Sequence, residues 1–102
     1  MTSLGNGEPI TYRVIMSGQV QDQIKQLHFQ AALSGKGQAV LSAFRQMITR
    51  LKNEPQTFGE PLYRLPAAKL QVRLAVVAPL VVDYGLYQEK PLVFIRGFKV
   101  LS

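Results

Sequence analysis

Between Gln38 and Lys52 the apolar residues Val40, Leu41, Phe44, Met47, Ile48 and Leu51 recur at the spacing of an α-helix. This is the cleanest periodicity in the sequence, and it sets the main constraint on the fold: one stripe of this helix must be covered by another element. Arg45, Arg50 and Lys52 take the polar remainder, and the last two suit a helix C-terminus, where cations oppose the partial negative charge of free carbonyls. Asn53-Glu54-Pro55 ends the helix, because the residue before proline avoids the α region and proline has no N–H to donate. Upstream, Val20, Ile24, Leu27 and Ala31 form a second stripe, predicting a helix from about Gln19 to Leu33 with Ser17 as its N-cap. Phe29 lies nearly opposite Val20, so it either packs under another element or is an exposed contact. Ser34-Gly35-Lys36-Gly37 is a turn, so the two helices make an αα-hairpin.

Such a hairpin needs a sheet against its apolar side, and strand patterns surround it. Ile10 to Met16 alternates well enough for a first strand. After the hairpin, Leu62-Tyr63-Arg64-Leu65 is a short extended piece before Pro66. Lys69 to Ala78 alternates, with Leu70, Val72, Leu74 and Val76 on one face and Lys69, Gln71 and Arg73 on the other. Pro79 breaks that run as a turn or bulge. Leu80 to Tyr87 and Leu92 to Phe98 follow, separated by the polar turn Gln88-Glu89-Lys90. Short connections make the last three strands an antiparallel meander. The predicted class is α+β, in the order β-α-α-β-β-β, with the helical hairpin packed on a mainly antiparallel sheet.

A length of 102 residues fits one domain, expected over 10–102, behind a Gly/Ser/Asn-rich disordered leader at 1–9. That start has neither the basic nor the apolar region of a secretory signal, and no apolar run is long enough to span a bilayer. A cytoplasmic location and no membrane partner are therefore expected. The sequence holds no cysteine, which excludes disulfides, thiolate metal sites and cysteine nucleophiles. Aspartate and glutamate are scattered without metal-ligand spacing, no glycine-rich phosphate loop follows a strand, and neither metal nor cofactor is expected. The lone His28 falls on the first helix, far in sequence from the sheet. The net charge is +6: residues 1–35 cancel, while 36–102 carry ten Lys/Arg against four Asp/Glu. A basic surface of this kind favours an anionic partner, whether nucleic acid, the ribosome or an acidic protein.

The order of elements resembles that of the RelE/ParE superfamily of bacterial toxins over about residues 10–100. The pieces that carry the resemblance are Tyr12-Arg-Val-Ile-Met16, the two helices, Leu62-Tyr-Arg-Leu-Pro66, Leu70-Gln-Val-Arg-Leu74, Leu80-Val-Val-Asp-Tyr84 and Val93-Phe-Ile-Arg-Gly-Phe-Lys99. RelE-type members are ribosome-dependent mRNA endonucleases whose concave sheet face carries several cations, often with a tyrosine. Those cations hold the phosphate and stabilise the charge of the in-line transition state.

By this resemblance Arg73 is the best match to a sheet-face cation, with Lys69 and Gln71 sharing its face. Arg73, Arg96 and Tyr87 are the implied catalytic candidates, and Lys69, Gln71, Lys99 and Arg64 the implied RNA- or phosphate-binding ones. Two departures stand out. The strand that usually supplies an arginine near its start offers Leu80-Val-Val82, and Arg96 and Lys99 differ in parity, so they face opposite ways unless a bulge intervenes. Asp83 is expected on the face of Arg73 as a salt-bridge partner, and Tyr84 at a core position. The resemblance thus implies either a protein- or ribosome-binding member of a toxin–antitoxin type system, with weakened or absent nuclease residues, or an mRNA endoribonuclease toxin. An antitoxin-like protein is the implied partner in both cases, and Phe29 is the candidate contact for it.

Overall fold

A computed structural model describes residues 10–101, and the expected leader at 1–9 lies outside the described residues. The elements are β1 (Arg13–Met16), α1 (Gly18–Leu33), α2 (Gly37–Asn53), a single turn α3 (Pro55–Phe58), β2 (Glu60–Leu65), a 3-10 turn (Pro66–Ala68), β3 (Leu70–Val77), β4 (Leu80–Tyr87) and β5 (Leu92–Val100). The α+β class and the packing of a helical hairpin on a sheet are as the sequence predicts. The strands form one five-stranded sheet in the order β1-β5-β4-β3-β2. All neighbours are antiparallel except β1, which runs parallel to β5 from Arg13↔Leu92 to Met16↔Ile95.

Local chemistry explains most boundaries. Ser17 caps α1 by accepting from Val20 N–H at 3.2 Å. Gly35 ends the αα turn at φ 74°, a backbone region that side chains disfavour. Pro55 is the first residue of α3, a turn the sequence does not announce, since proline stops α2 yet suits the first position of a new helix. The first strand begins later than expected, at Arg13, because Tyr12 N–H donates to Lys52 O at the end of α2.

The helices cover one face of the sheet. Val20, Val40, Ala43, Met47 and Leu51 pack with Ala75, Val82, Tyr84, Val93, Ile95 and Phe98 in one core, where Phe44 meets Phe98 at 5.7 Å between ring centres. At its lower edge stands Tyr84, fully buried. Its hydroxyl donates to Pro55 O at 2.7 Å and accepts from Gly59 N–H at 3.1 Å, and its ring stacks on Phe58. This side chain therefore holds α3 and the entry to β2 against the sheet.

The alternation of β3 is real, but the faces are the reverse of the expectation. Arg73 pairs with Tyr84 in the ladder, and Ala75 and Val77 join the core, so Gln71 and Arg73 lie on the helix side. Leu70, Val72, Leu74 and Val76 face the side without helices. Register decides this: β3 is apolar at six of the eight positions Leu70–Val77, so alternation alone cannot say which row meets the helices. Leu70 and Val72 are nonetheless buried on the helix-free side. Gly85 makes room there, since a Cβ on it would fall 2.8 Å from Leu70 Cδ1.

Arg73 is only 7% exposed. Its guanidinium donates to Gln71 Oε1 at 2.7 Å and to Gly59 O, beside the Tyr84 side chain opposite it in the ladder. Asp83 does not share its face, contrary to expectation, because Asp83 pairs with Leu74 and Gly97. Arg73→Ala therefore leaves two part-buried acceptors, Gln71 Oε1 and Gly59 O, short of a donor and is expected to destabilise the fold by about 2–3 kcal/mol, read from the urea midpoint.

Burial raises the Tyr84 pKa above 10.0, and the nearby Arg73 opposes only part of that rise. The unfolded chain therefore releases this proton first. The contribution to stability is intact below about pH 10 and is lost as pH climbs through the higher folded-state value. Tyr84→Phe should cost about 1–3 kcal/mol at neutral pH through the unpaired Gly59 N–H and Pro55 O. It should also flatten the alkaline fall in stability, measured by urea unfolding from pH 7 to 11.

Candidate functional site

The residues singled out by sequence divide into two groups on opposite faces of the sheet. On the helix-free face, a bulge in β5 shifts the ladder from Asp83↔Gly97 to Tyr84↔Ile95 and leaves Arg96 as the extra residue. The bulge brings Arg96 and Lys99 to one face despite their spacing of three, with Lys99 opposite Val81 and Arg96 reaching Asp83. Arg96 Nη1 donates to the Tyr63 hydroxyl at 2.9 Å and lies 3.5 Å from Asp83 Oδ1. The hydrogen bond to Tyr63, with help from Asp83, holds the Arg96 guanidinium more firmly protonated. Lys99 and Asp83 line a shallow hollow with Leu74, Val81, Gly97 and Phe98. Sequence reasoning does not find Tyr63 as the partner of Arg96, because 33 residues separate them and the contact depends on how far β2 and β5 curl toward one another.

The remaining cations of the implied site are elsewhere. Lys69 is not part of β3. It closes the 3-10 turn in a left-handed conformation at φ 51°, and its Nζ pairs with Glu89 at 3.1 Å. Arg73 is buried on the helix side, as described above. The open face thus carries Arg96, partly neutralised by Asp83, and Lys99, amid Leu70, Val72, Leu74, Val81 and Phe94.

On the helix side, Arg64, Gln71 and Leu86 form one cross-strand row over β2, β3 and β4. With Gln56, Tyr87 and Gln88 they line a cleft. Gln56 is held by its hydrogen bond to the Tyr12 hydroxyl, and Lys90 sits over the Tyr87 ring at 5.8 Å. Arg64 and Gln71 are therefore side by side on the helix side, whereas Tyr87, opposite Leu70 in the ladder, has the helix-free parity and only borders the cleft.

The third feature is the outer surface of the helices. Phe29 is 58% exposed and Leu33 74% exposed, so of the two placements open for Phe29 the structure takes the exposed contact. Beside them a groove between α1 and α2 is lined by Ile24, Lys25, His28, Val40, Leu41 and Phe44. Its signal in the sequence is the width of the α2 stripe, since Leu41 lies outside the row that packs into the core. Among the described residues no group of three or more His, Cys, Asp or Glu is placed to hold a metal ion, and no helix is long and apolar enough to cross a membrane.

No protein-family model and no curated protein matches the chain. Among solved structures, it is similar to the toxin–antitoxin complex RelBE2 from Mycobacterium tuberculosis, with a TM-score of 0.65 and 18% identity over 89% of this chain and 92% of that one. The likeness shows that this chain, a helical hairpin on a five-stranded and mostly antiparallel sheet, shares its fold with a chain of that complex.

Proposed function

We propose that the protein is a toxin-type domain of a toxin–antitoxin system that works by binding another protein, and that it does not cleave mRNA. The observation that carries this reading is the dispersal of the cations. An endonuclease of this fold needs several of them converging on one phosphate, because the in-line transition state spreads negative charge over oxygens that must be neutralised together. Here Arg73 is buried behind β2 and α3, Lys69 is paired with Glu89, and Arg96 is paired with Asp83. Lys99 is left without a second free cation from the implied set on its face.

The protein surface supports contact instead. Phe29 and Leu33 project from α1 next to an apolar groove bordered by Lys25 and His28. Exposed large apolar side chains beside a groove suit an amphipathic segment, and the basic border suits one with acidic residues. An antitoxin-like protein is the partner this reading names, in keeping with the complex that the fold resembles. A ribosomal or other macromolecular target would be engaged in the same way, by contact without chemistry.

Induced expression in a bacterial host separates the two readings. Transcripts mapped by primer extension are expected to stay intact at every expression level. Any growth arrest should persist in Phe29→Glu, an exposed substitution expected to change stability by no more than about 0.5 kcal/mol, and should no longer be relieved by co-expression of the antitoxin-like partner. Discrete transcript cleavage that disappears in Arg96→Ala would establish the endoribonuclease and remove the proposal.

A further inference from the structure

The helical hairpin from Gly18 to Asn53 holds five Lys/Arg and a single carboxylate, Asp22. Asp22, Gln26, Phe29 and Leu33 follow one another at i, i+4, i+7 and i+11, so they form one stripe along α1. That stripe lies opposite Val20, Ile24, Leu27 and Ala31, which pack into the core, and all four of its residues are exposed. Lys36, in the turn that follows α1, is exposed as well. Among the described residues neither Asp22 nor Lys36 is in an ion pair.

This stripe is complementary to itself. Laid antiparallel on a second copy with Phe29 facing Phe29 on the two-fold axis, it brings Leu33 over Lys25 of that copy. There the apolar stem of the lysine covers the leucine while its ammonium stays in water. Asp22 lies about 10 Å of helix before Phe29, which in the antiparallel pair takes it past the end of the other α1, to the turn that carries Lys36. The two-fold axis repeats each contact, giving two Asp22–Lys36 pairs around a central aromatic contact. An acidic segment running along the same stripe is repelled by Asp22, so the charge pattern selects a second copy over such a segment. The acidic segment is matched by the neighbouring groove, with its border of Lys25 and His28.

We propose that the protein forms a two-fold symmetric homodimer through α1, centred on Phe29 and framed by Asp22 of each copy against Lys36 of the other. The contact is small, so the dimer is weak and exchanges with monomer. Because Phe29 also stands beside the groove assigned to an antitoxin-like partner, the dimer hides this surface in the partner's absence and dissociates when the partner binds. That competition rests on the partner reading above, whereas self-association does not.

The test is sedimentation equilibrium of the full chain alone over a concentration series, with circular dichroism confirming that each variant is folded. A monomer–dimer equilibrium is expected, because an isologous contact closes on itself. Phe29→Glu should weaken the dimer roughly tenfold or more. Asp22→Lys and Lys36→Asp should each weaken it about fivefold, and the double variant that swaps the two charges should return close to the original affinity. A chain that stays monomeric at every concentration, or a ladder of larger species, would overturn the proposal. So would a dimer that keeps its affinity in Phe29→Glu, or a double variant no tighter than the single ones. No partner is present in these measurements, so their failure leaves the partner reading standing, and the absence of any partner leaves the dimer standing.

Discussion

The Tyr84 hydroxyl is the junction on which the lower half of the molecule depends. It binds Pro55 O and Gly59 N–H, the two ends of the short stretch that turns the chain from α2 into β2. Without that anchor α3 is a single helical turn, far below the length at which a helix holds itself together. Opposite Tyr84 in the ladder stands Arg73, whose guanidinium reaches Gly59 O. One buried cluster therefore fixes the seam between α3 and β2, and β2 in turn presents Tyr63 to one face of the sheet and Arg64 to the other.

That double presentation explains why the charged residues separate as they do. In an antiparallel sheet, the side each residue faces follows from its ladder partner, and Arg73 opposite Tyr84 is committed to the core side. The β5 bulge acts in the opposite sense, collecting Arg96 and Lys99 on the helix-free face. A basic composition is thus compatible with the absence of a single convergent cationic site. Net charge reports a tendency to meet anions, while register determines how many cations meet one anion together.

Much of this architecture is legible in the sequence. The stripe from Val40 to Leu51 announces α2, Ser17 announces the start of α1, and Leu80–Tyr87 reads as a strand with the boundaries observed. Tyr84 is expected in the core and is there. The faces of β3 are not legible, because Val72 and Leu74 on one row and Ala75 and Val77 on the other are all apolar, and only pairing with β4 resolves them. Nor does parity reveal the bulge at Arg96. Its cause is distributed, since Gln23 of α1 reaches across to accept the Phe98 N–H at 2.8 Å just beyond it. The cleft at Arg64, Gln71 and Tyr87 is assembled from four separate segments, and no local motif announces it.

The parallel pairing of β1 with β5 has a consequence for the order of events during synthesis. Arg13 pairs with Leu92, so the earliest strand has its ladder partner in the latest one. Val93, Ile95 and Phe98 of that late strand are also part of the core that α1 and α2 cover. A nascent chain carrying only the hairpin and β2 to β4 has an unpaired first strand and a helical stripe covered only in part, by Ala75, Val82 and Tyr84. Such non-local closure is slow relative to local pairing and leaves apolar surface exposed in the meantime. Folding of this domain is therefore gated by translation of β5, and until then its amphipathic helices are open to any chain that covers them first.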